Sequence, residues 1–141
     1  MGLDLSSFEN AQLQLENVAE RARDEVFMAA QDDITRNAIR SGVIQHFEIV
    51  YELCWKFMQR WIRENRTPEE ADHARTRKDL FRLAARCGLI ADPLPWFAYA
   101  EVRNLSVHTY NQKEADTVYS LVESFARDAR YLLERLRERN D

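Results

Sequence analysis

Apolar side chains recur every three or four positions in two long stretches near the ends of the chain, a spacing typical of one face of an α-helix. Ser6 and Glu9 have the spacing of a capping box, which predicts a first helix from about residue 7 to the high twenties. Asn111 and Glu114 have the same spacing and predict the start of a long final helix. The two apolar stripes are Phe8, Ala11, Leu15, Val18, Ala22 and Val26, and then Val118, Val122, Phe125, Ala129, Leu132 and Leu136.

The middle of the chain carries the broadest apolar face. A stripe that begins at Val43 is thickened by further apolar residues beside it, which predicts a helix that is buried on more than one side. Just before it, Gly42 is expected to weaken any continuous helix, and Asp32 or Asp33 is expected to cap a new one. The stripe consists of Val43, Phe47, Val50, Cys54, Phe57 and Trp61.

Prolines and a glycine divide the remaining segment. The polar stretch around Pro68 predicts a loop, with one helical turn after Thr67. A short helix is then expected to end at Gly88, because glycine tolerates the left-handed conformation past a helix end. Asp92 followed by Pro93 predicts the start of the next helix, which leads into the final one.

The composition agrees with helices and bounds the fold. The chain has 141 residues but only three glycines and three prolines, too few for the turns of a many-stranded β fold. We therefore predict the all-α class: a compact antiparallel bundle of about four to five helices, forming one domain over residues 1–141. No apolar run is long enough to span a membrane and no signal peptide is evident, so a cytoplasmic location is expected.

Charge and cysteine usage restrict the chemistry. The formal net charge of −4 argues against an extended nucleic-acid groove, so that any contact with RNA would be local. Cys54 and Cys87 stand far apart with no second partner at metal-ligand spacing. We expect reduced core thiols, no metal and no cofactor.

The stretch that joins the last two predicted helices gathers Arg103, Asn104, His108 and Tyr110 within eight positions. Three interpretations compete. In the simplest one from spacing alone, Arg103 pairs with a nearby acid while Asn104 and His108 satisfy backbone groups at a helix end. In the catalytic one, His108 transfers protons and Arg103 steadies negative charge on a phosphate. In the third, Tyr110 is an exposed phenol available for modification or partner contact.

Three separated motifs resemble a known family. The segments VIQHFEIVYELCWKFMQRW, DLFRLAARCGLI and RNLSVHTY stand in the order found in the nucleotidyltransferase substrate-binding proteins, a branch of the HEPN superfamily that includes HepT-like toxins. The resemblance spans roughly residues 8–136 and is most specific at 44–56 and 103–110.

The resemblance implies a helical homodimer in which the R-x-x-x-x-H motifs of two subunits meet near the interface. It implies an endoribonuclease toxin that needs no metal, paired with a minimal nucleotidyltransferase that silences it by adding AMP to a tyrosine. Carried over by position, Arg103 and His108 would be catalytic, Asn104 would support them, and Tyr110 would be adenylylated. The alternative is a non-catalytic substrate-binding or regulatory subunit of a two-component nucleotidyltransferase.

Charged and aromatic residues of the central helix need a separate interpretation. Glu48, Glu52 and Lys56 follow at four-residue intervals and predict an ion network within the helix. The alternative is that Glu48 or Glu52 orients Arg103 across the bundle. The three tryptophans, and Tyr51 with Tyr99, are expected to be core or dimer anchors and not platforms for stacked bases.

Overall fold

Helices account for the regular structure of the chain. The structure, a computed structural model, describes residues 2–107 and 112–140, without the side chains of 105–107, 112 and 114. The described residues form seven helices and no strand, which confirms the all-α class; five of these helices have ten or more residues. They are α1 (Ser6–Arg23), α2 (Glu25–Ala29), α3 (Asp33–Asn65), α4 (Pro68–His73), α5 (Arg77–Arg86), α6 (Pro93–Val107) and α7 (Gln112–Glu138).

The first helix differs from the prediction at both ends. Ser6 is the first helical residue, and the Asp4 carboxylate accepts hydrogen bonds from its backbone N–H (3.0 Å) and its hydroxyl (2.7 Å), so the predicted capping box is wrong. The helix ends at Arg23 because Asp24 takes an extended conformation. The Asp24 carboxylate accepts a hydrogen bond from the N–H of Phe27, which starts α2. This local side-chain bond competes with continuation of α1.

The central helix α3 is longer than predicted. Asp32 caps it by accepting from the N–H of Thr35 at 2.7 Å, and the helix runs without interruption through Gly42. The predicted cap at Asp32 is confirmed, and Gly42, which was expected to weaken a continuous helix, does not interrupt this one. A Cβ placed there would lie 3.9 Å from Val18 Cγ2, so this position faces α1. Burial of the broad apolar face of α3 offsets the roughly 1 kcal/mol that a glycine costs inside a helix.

The predicted turns of the middle segment are confirmed. Thr67 accepts from the N–H of Glu70 and starts α4, and Asp92 accepts from the N–H of Leu94 at the start of α6. Gly88 has φ +79° just past the end of α5, in the left-handed region that its lack of a Cβ allows. These signals fix where α5 ends and α6 begins.

Aromatic rings from three helices meet at the centre of the core. The Phe125 ring on α7 lies 4.8 Å from the Phe47 ring on α3 and 5.1 Å from the Tyr99 ring on α6, both edge to face. Trp96 approaches the same ring from α6 at 5.9 Å. Helices α1, α3 and α7 also pack against one another, while α6 packs against α3, α5 and α7. This core holds α6 against α3 one turn before Arg103.

Candidate functional site

Arg103 bridges two helices. It follows the buried residues Tyr99 and Val102 on α6, and its own side chain is 21% exposed. Its Nη1 lies 3.4 Å from an oxygen of Glu48, and its Nε lies 3.7 Å from an oxygen of Glu52, both on α3. The contact with an acid that the simplest interpretation expected is thus present, and it also fixes where the guanidinium lies.

The two glutamates work as a pair because they stand four residues apart on one face of α3. Glu52 also accepts a hydrogen bond of 3.0 Å from the indole N–H of Trp55. Lys56 forms no ion pair with Glu52 in the part of the chain that the structure describes, and its ammonium lies 5.7 Å from the centre of the Trp55 ring. The predicted ion network within α3 is therefore absent there, and the alternative, contact with Arg103 across the bundle, is observed for both glutamates.

Arg77, the first residue of α5, extends this cluster. Its guanidinium lies 3.7 Å from the centre of the Trp55 ring and donates a 3.1 Å hydrogen bond to the Tyr51 hydroxyl. Burial raises the pKa of Tyr51, although the nearby Arg77 opposes the shift, so the phenol stays protonated at neutral pH. Sequence reasoning missed Arg77, since a contact between residues 26 positions apart leaves no signal in local spacing.

The other predicted site residues divide into two groups. Asn104 is exposed, about 100° around the helix from Arg103, and does not share its place against α3. His108 and Tyr110 lie outside the described residues, which end at Val107 on α6 and resume at Gln112 on α7. The structure thus places Arg103 on α6 with its two carboxylate neighbours on α3.

Most of the aromatic residues are core residues, as predicted. Trp61, Trp96, Tyr51 and Tyr99 are buried, and Trp55 is half-buried against the core. The Tyr99 hydroxyl donates to the Asp128 carboxylate of α7, and burial together with this bond raises the pKa of Tyr99. These five side chains therefore pack within the core or against it, as expected for anchors that join helices.

Within the described ranges, histidine, cysteine and acidic side chains form no cluster of three that could hold a metal ion. Cys54 and Cys87 are free thiols, and burial raises the pKa of both. In the same ranges no helix is long and apolar enough to cross a membrane.

A groove of about 580 Å³ lies between α4 and α5, apart from Arg103. Its lining includes Arg66 with its partner Glu70 and other charged residues, and Arg103 is not part of that lining.

The sequence as a whole matches a family of helical proteins. The model of the family described as nucleotidyltransferase substrate binding protein like matches residues 3–138. The chain therefore belongs to this family, and the resemblance seen in its motifs is confirmed. A curated relative from Haemophilus influenzae, named probable ribonuclease HepT, is 36% identical over 138 residues, which cover 98% of this chain and 94% of the relative.

Two solved structures resemble this chain. One is the Haemophilus influenzae protein HI0074, whose structure was described as revealing the fold of a substrate binding domain of a nucleotidyltransferase. It superposes with a TM-score of 0.90 at 35% identity and covers 95% of this chain and 99% of its own. The other is the Thermus thermophilus protein ttk003001694, with a TM-score of 0.67 at 28% identity, covering 90% of this chain and 98% of its own.

Proposed function

We propose that this protein is a metal-independent endoribonuclease toxin, controlled by a minimal nucleotidyltransferase that adenylylates Tyr110. The observation that carries the proposal is Arg103, held between α6 and α3 by Glu48 and Glu52 at the start of an R-x-x-x-x-H motif. The name of the Haemophilus relative, probable ribonuclease HepT, supports the same activity.

The chemistry of RNA cleavage suits these residue types. Cleavage without a metal removes the proton of a ribose 2′-hydroxyl, whose oxygen attacks the adjacent phosphorus. The 5′-oxygen then leaves with a proton, and a 2′,3′-cyclic phosphate remains. His108 transfers these protons, since an imidazole can both take and give a proton, while Arg103 binds the phosphate oxygens as their negative charge grows. Asn104 supports this arrangement as a further hydrogen-bonding group.

A homodimer completes the proposed site. One histidine cannot act as acid and base in the same step, so two subunits that bring their His108 residues together supply both. Ile49 on α3 is 44% exposed, about 100° around the helix from Glu48, and is an apolar side chain that a second subunit would cover. The site would act on RNA in the cytoplasm with no metal or cofactor.

Adenylylation of Tyr110 would silence the enzyme. The tyrosine stands two residues after His108, so an adenylate on its hydroxyl adds both bulk and negative charge beside the proposed catalytic histidine. RNA, which is itself negatively charged, would then be excluded. The partner transferase therefore acts as the antitoxin in this proposal.

Cleavage of a mixed RNA pool in EDTA tests the ribonuclease activity. Wild-type protein is expected to produce cyclic phosphate ends, and Arg103→Ala and His108→Ala are expected to abolish them. Arg127→Ala is the matched control, because Arg127 is exposed on α7 and pairs only with Glu123 in the described structure. Absence of cleavage by an unmodified, folded wild-type dimer would overturn the proposal.

A second candidate function follows from the family description and from the Haemophilus structure. In it, the chain is a non-catalytic subunit that presents a substrate, or itself, to a nucleotidyltransferase. Incubation with the partner transferase and labelled ATP separates the two candidates. Labelling of wild type but not of Tyr110→Phe, without any RNA cleavage by the unlabelled protein, would favour this second function.

A further inference from the structure

The first turn of α5 directs two consecutive cations to two different helices. Arg77 reaches α3, where it stacks on Trp55 and donates to Tyr51, and Lys78 reaches α6, where its ammonium lies 5.6 Å from the centre of the Phe97 ring. Arg103 joins the same two helices. The start of α5 therefore carries positive charge to the helix pair that holds the candidate catalytic arginine.

A second cation accompanies each ring. Lys56 lies 5.7 Å from the centre of the Trp55 ring, and Arg82 lies 5.2 Å from that of Phe97. Both rings are partly buried and pack against the core, so they hold the cations at fixed places on the surface. We call Lys56, Arg77, Lys78 and Arg82 the basic surface.

Most of this charge is not compensated by acids. Arg82 pairs with Asp79 at 3.2 Å. Lys56, Arg77 and Lys78 form no ion pair among the described residues. By contrast, a glutamate pairs with each of three arginines elsewhere: Arg66, Arg127 and Arg137. An aromatic ring fixes a cation without neutralising it. The basic surface therefore keeps positive charge in a chain whose formal net charge is −4.

The basic surface is physically connected to Arg103. Arg77 covers the Trp55 ring, the Trp55 N–H donates to Glu52, and Glu52 contacts the Arg103 guanidinium. One ring and one carboxylate thus separate the two arginines. A strand whose phosphate reaches Arg103 would pass this surface with its neighbouring phosphates.

From this arrangement we propose that the basic surface binds the phosphate backbone of single-stranded RNA beside the cleaved bond. The proposal rests on the function proposed above and adds where the strand lies. Cations held on rings recognise phosphates and not bases, so binding is sequence-tolerant. The binding free energy depends on salt, because each neutralised phosphate releases counterions.

Salt-dependent binding to a single-stranded RNA oligonucleotide tests the proposal, with all proteins in a His108→Ala background so that no RNA is cut. Arg77→Gln with Lys78→Gln is expected to lower affinity at low salt by about tenfold or more. It should also reduce the slope of log K against log salt by about 0.7 for each phosphate that the variant no longer neutralises. Arg60→Gln is the matched control: Arg60 also lies on a ring, 5.1 Å from the centre of Phe57, but that ring contacts Phe8 on the α1 side.

Further variants guard against a folding defect. Arg77→Lys keeps the charge and should retain most of the salt slope. Lys56 and Lys78 are exposed, so Lys56→Gln and Lys78→Gln, each made singly, should lower the slope without disturbing the contact of Arg77 with Trp55. An equal slope in wild type, in these single variants and in Arg60→Gln would overturn the proposal. Dissociation of a dimer with an unchanged slope would also overturn it and assign the surface to a second copy of the chain.

The same proteins with His108 restored separate this proposal from the ribonuclease function. Reduced slopes without any cleavage by wild type would leave the basic surface supported and contradict the ribonuclease. Cleavage with unchanged KM in Arg77→Gln and Lys78→Gln would leave the ribonuclease supported and contradict the basic surface. The two failures are therefore distinguishable.

Discussion

Among the contacts between arginine and glutamate that join helices in the described part of the chain, those of Arg130 and Arg103 differ in geometry. Between α7 and α1, Arg130 donates hydrogen bonds of 2.9 and 2.5 Å to the two oxygens of the Glu16 carboxylate, and it also lies 3.7 Å from Glu134 on its own helix. Between α6 and α3, Arg103 lies between two separate carboxylates at 3.4 and 3.7 Å. The residue types are the same, but Arg130 forms two hydrogen bonds with a single carboxylate of the other helix, whereas Arg103 contacts two carboxylates of the other helix at longer distances.

The difference separates structural stabilisation from positioning. A bidentate pair satisfies both oxygens of its carboxylate, and Glu16 also accepts from the buried Gln12, so this network locks α1 to α7. The contacts of Arg103 with its two acids are longer ion pairs, which hold the guanidinium in place by charge. A phosphate oxygen can then compete for its donors, as the proposed function requires. Six substitutions, taken in four groups, sharpen or break this comparison.

The largest expected effect is an exchange of phenotypes between Arg103→Ala and Arg130→Ala. The first should slow RNA cleavage by about 10²-fold or more while shifting the free energy of unfolding by less than about 1 kcal/mol. The second should lower that free energy by about 1–2 kcal/mol and leave cleavage nearly unchanged. Single-turnover cleavage rates and urea unfolding of both variants measure this; equal losses of stability would remove the distinction between the two contacts.

Glu48→Gln and Glu52→Gln come next in size. Each replacement keeps the shape but removes a charge that places Arg103, so kcat should fall by about tenfold. KM for RNA should fall as well, because one negative charge near the phosphate is gone. Steady-state cleavage across RNA concentrations separates the two parameters. A change in neither parameter, with Glu134→Gln on α7 as the control, would show that the glutamates serve only to join α3 and α6.

The pair of Arg130 and Glu16 should make the free energy of unfolding depend on pH. The hydrogen bond from Arg130 lowers the pKa of Glu16, and its folded value therefore lies below that of the unfolded chain. The resulting stabilisation, about 1 kcal/mol, is complete above the unfolded pKa near 4.5 and is lost as the pH falls through the folded pKa. Glu16→Gln should thus cost stability at pH 7 and progressively less below about pH 4.5. A difference in unfolding free energy that stays constant from pH 7 to pH 3 would contradict this.

The smallest effect concerns Gly42. An alanine there meets only Val18 Cγ2, at an ordinary contact distance of 3.9 Å, and it removes backbone freedom from the unfolded chain. Gly42→Ala should therefore raise the free energy of unfolding by about 0.5–1 kcal/mol. Because the site lies on the α6 side of α3, cleavage should not change. Thermal unfolding and the cleavage assay check this: the variant should unfold at a higher temperature and cleave RNA at the wild-type rate.

The sequence predicted the fold better than the contacts of the site. Periodic apolar stripes and local signals such as Thr67, Gly88 and Asp92 are encoded within a few residues, so helix class and several boundaries could be read directly. Two local signals were misleading. Ser6 does not form the predicted capping box because it bonds to Asp4, and Gly42 does not end a helix because α3 packs against α1 there. Motif order indicated Arg103, whereas the contact of Arg77 with Trp55 depends on how α5 packs on α3 and has no local signature.

The contacts of the Phe125 ring affect how long α3 and α6 stay together around Arg103. Because it touches rings from both α3 and α6, separating those helices requires opening the centre of the core. Backbone amides of α6 from Phe97 to Val102, beyond its first turn, should therefore exchange their hydrogens with water only when the core opens, as slowly as the core amides of α3. Arg103 directly follows this segment, so its position should be preserved through fluctuations too small to open the core.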